Sequence, residues 1–62
     1  MITADEAITA AVAATDGTPR SWKLERGDPA RIVFEVSVIA SGGDDRDVYV
    51  DAQSGQTVEV DD

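Results

Sequence analysis

The chain has 62 residues, with 13 acidic side chains against 5 basic ones, a formal net charge of −8, no His and no Cys. A chain this short makes one small domain that hides only about 60% of the surface its unfolded form exposes, so packing must carry the fold without disulfides or the usual zinc ligands. The same absences exclude Ser-His-Asp, Cys-His and His-based acid–base catalysis, and the acidity argues against binding to nucleic-acid phosphates or anionic membrane surfaces.

No apolar run approaches the ~20 residues of a membrane span, and Met1-Ile2-Thr3-Ala4-Asp5-Glu6 has neither a basic region nor a leader-like apolar core. The expectation is a soluble, non-enzymatic chain with no cofactor, no metal and no direct membrane insertion. Thr3 to Glu6 spells T-x-x-E, in which hydroxyl and carboxylate reciprocally satisfy backbone N–H groups at a helix start. Asp5 and Glu6 suit the positive end of the helix dipole. From Ala4 to about Thr15, alanines supply helix propensity, and Ile8, Ala11, Val12 and Thr15 recur at helical spacing as a narrow apolar stripe. Asp16-Gly17 predicts a left-handed stop, with Pro19 preventing continuation.

After Pro19 the period changes to two. Trp22 and Leu24 alternate with Lys23 and Glu25, and Arg26-Gly27-Asp28-Pro29 then reads as a hairpin turn. From Arg31 to Ala40, Ile32, Phe34, Val36 and Val38 share one face of a longer strand. Val33, Glu35, Ser37 and Ile39 share the other. Ser41-Gly42-Gly43-Asp44-Asp45 is a polar connection. Val48 and Val50, then Val58 and Val60, mark a third and a fourth strand joined by the turn Ala52-Gln53-Ser54-Gly55-Gln56. Short connections favour an antiparallel meander. The predicted fold is α+β: one N-terminal helix packed on a four-stranded antiparallel β-sheet, with a core in residues 2–60 and a frayed acidic tail at Asp61-Asp62. The predicted buried layer joins Ile8, Ala11 and Val12 to Trp22, Leu24, Ile32, Phe34, Val36, Val38, Val48, Val50 and Val58.

Three segments carry a family resemblance: Ile2-Thr3-Ala4-Asp5-Glu6-Ala7-Ile8, Phe34-Glu35-Val36-Ser37-Val38, and the stretch from Val48-Tyr49-Val50-Asp51-Ala52 through Gly55 to Val58. In this order and spacing they resemble the PepSY domain over about residues 2–60. The resemblance implies a helix on an antiparallel sheet, no catalytic residues, and a role in restraining or chaperoning peptidases or otherwise regulating proteins outside the cytoplasm. It thus implies a protein partner, a peptidase among the candidates; a structural, assembly or spacer role in a larger secreted or membrane-anchored protein is the rival reading.

Asp51 and Gly55 are the best-placed polar pair, and they read as turn chemistry: a carboxylate accepting nearby backbone N–H groups and a glycine at positive φ. Asp44, Asp45, Asp47 and Asp51 fail as an EF-hand loop, since Tyr49, Val50 and Gln56 stand where a ligand, Gly and Glu belong. Arg26-Gly27-Asp28 reads as a turn rather than an adhesion motif. Val33, Ile39 and Tyr49 fall on the sheet face opposite the helix, where an aligned apolar patch would receive a partner domain or a second copy. The edge of a terminal strand offers a second route, by strand addition. The acidity fits either a basic partner, with binding that weakens as salt rises, or a salt-rich environment that screens self-repulsion.

Overall fold

The computed structural model describes residues 1–27 and 31–61. Helix α1 spans Ala4–Thr15, followed by β1 (Thr18–Gly27), β2 (Arg31–Ile39), β3 (Asp45–Asp51) and β4 (Thr57–Asp61). The helix starts where the capping box places it. The Glu6 N–H donates to Thr3 Oγ1 at 3.2 Å, and the Thr3 N–H donates to Glu6 Oε1 at 2.8 Å, so two otherwise orphaned donors are satisfied. At the other end the left-handed residue is Asp16 (φ 54°), whose N–H reaches the Val12 carbonyl at 2.7 Å. Gly17 serves a different purpose from the predicted one: a Cβ there would lie 2.6 Å from the Ile39 carbonyl oxygen, so only glycine lets the chain pass this close to the end of β2.

The strands form one antiparallel sheet in the order β1-β2-β3-β4, the meander expected from the short connections. β1 begins at Thr18 and takes in Pro19, and its register slips between Pro19 and Ser21. A proline has no N–H for the ladder, which makes an edge-strand irregularity its natural position. A second slip lies opposite Tyr49 and Val50 in β4. Asp61 belongs to β4 and pairs with Asp47, so it is not part of a frayed tail. Asp62 lies outside the described residues, as do Asp28 and Pro29 of the predicted hairpin turn.

The core consists of Phe34, Val36 and Val38 from β2, Val48 and Val50 from β3, Ala52, and Ala7 and Ala11 from the helix. Ile2, Ala4, Ile8, Ala10 and Ile32 pack around it. The buried helix stripe is therefore turned from the predicted one toward Ala7. Two alanines one turn apart let the helix lie close on a layer already filled by valines, and Ile8 takes a flank.

Three residues predicted for this layer are exposed: Trp22 (49%), Leu24 (47%) and Val58. Trp22 pairs with Val36 and Leu24 with Phe34, so their side of the sheet is as predicted and only the cover is missing. A helix is about 10 Å across, whereas four strands at about 4.8 Å spacing make a wider surface. The positions sealed under it belong to the two central strands. Trp22 leans on the core through an edge-on contact with Phe34, with ring centroids 5.7 Å apart at 63°.

Candidate interaction surface

The sheet face turned away from the helix is built in rows by the strand register. Glu25, Val33 and Asp51 lie side by side across β1, β2 and β3. The next row is Lys23, Glu35, Tyr49 and Glu59, and the one after it is Ser21, Ser37, Asp47 and Asp61. Period-two alternation alone puts these residues on one face; the register makes them neighbours.

Lys23 sits between two carboxylates, with its Nζ 3.2 Å from Glu25 Oε1 and 3.7 Å from Glu35 Oε1. The hydrogen bond to Glu25, then the charges of Glu25 and Glu35, raise the Lys23 pKa. The two glutamates diverge. The Lys23 hydrogen bond lowers Glu25, whereas burial, reinforced by a hydrogen bond and repulsion from Glu25, raises Glu35. Of this pair Glu35 is the one that holds its proton more tightly. Burial also raises the Tyr49 hydroxyl, with Glu35 and Asp47 adding repulsion. Along the same face, Ser37 Oγ donates to Asp47 Oδ1 at 3.0 Å, and Arg31 Nε lies 3.6 Å from Asp51 Oδ2.

The three candidate contact residues are not equally placed. Val33 and Tyr49 are diagonal neighbours on β2 and β3, but Val33 is only 8% exposed and Tyr49 half-buried. Ile39, 38% exposed, stands opposite Thr18 and Asp45, about 20 Å along β2 from Val33 at the usual rise per residue. Glu35 and Ser37 lie between. The face is therefore a carboxylate-rich surface with one apolar spot at Val33 and Tyr49 and a separate one at Ile39.

Asp51 closes the β3–β4 turn. Its Oδ1 accepts from the N–H groups of Gln53 (2.8 Å) and Ser54 (3.0 Å), and these hydrogen bonds, with help from Arg31, lower its pKa. The Gly55 N–H donates to the Asp51 carbonyl at 2.8 Å, and Gly55 has φ 79°, where a side chain is unfavourable. Among the described residues, no three acidic side chains are grouped to hold a metal ion: Asp45 faces Arg20 at 3.1 Å, Asp47 takes the Ser37 hydrogen bond and Asp51 serves the turn.

The family model for the PepSY domain, described as "Peptidase propeptide and YPEB domain", matches residues 1–61. The chain belongs to the PepSY family. No curated protein and no solved structure gives a significant match. The strand carrying Phe34, Val36 and Val38 is the centre of this PepSY domain's core, and the segment from Val48 to Val58 is its third strand, the Asp51 turn and the start of the fourth. No helix among the described residues is long and apolar enough to cross a membrane.

Two features of this PepSY domain are not legible in the sequence. The Glu25–Lys23–Glu35 cluster depends on hairpin register, which alternation does not supply. The uncovered Trp22 and Leu24 depend on how far the helix reaches. A third is legible in it: three of the five bases, Arg20, Lys23 and Arg26, lie on one strand.

Proposed function

We propose that this PepSY domain is a non-enzymatic interaction module that regulates or inhibits a protein partner, a peptidase or another protein outside the cytoplasm. The family match along residues 1–61 carries the proposal, since PepSY domains are propeptide-like regulatory modules. The uncovered sheet face supplies the contact surface, with Val33, Ile39 and Tyr49 as its apolar points among Glu25, Glu35, Asp47, Asp51, Glu59 and Asp61. Such a face fits a partner with a basic surface, whose association weakens as salt rises.

The test is titration of a peptidase encoded beside this chain with the purified domain. Saturable inhibition at one domain per enzyme is expected, with weaker binding for Tyr49→Ala and Ile39→Ser. Unchanged binding by both variants would move the contact off this face. A structural or assembly role is the second reading, favoured by the opposite charges of the two sheet edges.

A further inference from the structure

β1 and β4 are the outer strands of the sheet, and they differ in charge. β1 carries Arg20, Lys23 and Arg26 against Glu25 alone, whereas β4 carries Glu59 and Asp61 and no base. Their side-chain rows differ in a matching way. On the helix side, β1 presents Trp22 and Leu24 half exposed, and β4 presents Val60, which pairs with Val48 and is 39% exposed. On the other side, β1 presents Lys23 between Ser21 and Glu25, with Glu25 3.2 Å from the Lys23 Nζ, and β4 presents Glu59 and Asp61.

We infer that the β1 edge of one copy takes up the β4 edge of a second copy, joining PepSY domains head to tail into a continuous antiparallel sheet. Because each strand runs opposite to its neighbour, β4 runs opposite to β1. A second copy in the same orientation therefore brings its β4 antiparallel to β1 with both helices on one side. Trp22 and Leu24 then meet Val60, and Lys23 meets Glu59 and Asp61, so both rows are complementary in the one arrangement.

Charged edge strands normally prevent sheets from joining. Here the same charges select among joinings. A β4–β4 contact sets Glu59 and Asp61 against themselves, and a β1–β1 contact joins two edges that each carry three bases against one acid. Only the unlike edges carry opposite net charge. The contact is heterologous and leaves a free edge at each end, so it propagates rather than closes at two.

β4 has five residues, so the shared edge is short and the association weak. It becomes strong where copies are concentrated or tethered. The net charge of −8 opposes it at long range. At physiological salt, with a Debye length of about 8 Å, the repulsion between whole domains is screened more than the contact between adjacent side chains. Association therefore rises between low and physiological salt, the reverse of the salt effect expected for a basic partner on the outer face.

The experiment is sedimentation velocity on the domain alone, from about 10 µM to about 1 mM, beside the double variant Glu59→Lys/Asp61→Lys. It needs no peptidase, so its outcome is separate from that of the inhibition assay. The wild-type mass is expected to rise with concentration without stopping at a dimer, and the variant to associate at least about tenfold more weakly. Mixed in excess with wild type, the variant is expected to cap the chains at a one-to-one pair, because its β1 still accepts a wild-type β4 while its own β4 is refused. A wild type that stays monomeric throughout overturns the inference. So does a variant that associates like wild type, or a wild type that closes at a dimer. Circular dichroism melts establish that the variant is folded, and Glu59→Gln/Asp61→Asn, expected to associate to an intermediate extent, replaces it if it is not.

Discussion

Trp22 on β1 and Val36 on β2 are paired and lie on the same side of the sheet, yet the smaller residue is fully sealed and the larger is 49% exposed. The difference shows that burial here is set by position under the helix rather than by hydrophobicity. The central strands contribute Phe34, Val36, Val38, Val48 and Val50 to the core, and the outer strands contribute none of it. The core packing is concentrated at the centre of the sheet.

The sharpest way to break this comparison is to truncate one residue in each region. Phe34→Ala removes the only aromatic ring of the core and is expected to cost about 3–5 kcal/mol. A domain of this size has only about 3–9 kcal/mol to lose, so the variant should be largely unfolded or nearly so in urea titration followed by circular dichroism. Trp22→Ala should cost about half as much or less, since about half of the ring is already in water. Equal losses would mean that the rim is as much a part of the core as the centre.

Next in size are two changes at the ends of the helix that covers the centre. Gly17→Ala forces a Cβ against the Ile39 carbonyl, where backbone rather than a flexible side chain must yield, and is expected to cost about 1–3 kcal/mol. Thr3→Ala removes the hydroxyl half of the capping box, worth about 1 kcal/mol. Both are measured by urea midpoint at constant slope. A Gly17→Ala protein as stable as wild type would mean that the helix end can lift from β2 without consequence.

The parts legible in the sequence were those set by local rules. Thr3 and Glu6 mark the helix start through backbone hydrogen bonds three residues apart, and alternation from Ile32 to Val38 assigns each side chain to a face. The helix, the four strands and the family resemblance all follow from such short-range patterns. What could not be read depends on distances between elements. Trp22 and Leu24 look like core residues because alternation gives a side of the sheet and says nothing about what covers it. Ala7 does not stand out in the sequence because its small side chain weighs little in an apolar stripe, although smallness is what allows close approach. On the outer face, Val33 and Tyr49 share a neighbourhood while Ile39 does not, and only the pairing of Val33 with Asp51 and of Ile39 with Asp45 shows it.

The smallest expected effects concern the outer face and separate by sign with pH. Asp51 has its pKa lowered by the Ser54 and Gln53 N–H groups, so its contribution is present above the ordinary 3.8 and is lost as pH falls through the folded value. Glu35 has its pKa raised, chiefly by burial, so its contribution is present below the ordinary 4.5 and is lost as pH rises through the folded value. At neutral pH the ionised Glu35 therefore opposes folding. Glu35→Gln removes that charge while leaving Lys23 its closer partner, Glu25, at 3.2 Å. The variant should melt slightly above wild type at pH 7, and the gain should shrink as pH falls through the raised Glu35 value and be gone below the ordinary 4.5. Asp51→Asn should behave oppositely, melting below wild type at pH 7 and converging with it in acid. Thermal melts followed across this range test both at once. A Glu35→Gln protein that melts below wild type at pH 7 would show that its 3.7 Å contact with Lys23 outweighs burial, making the outer face a source of stability.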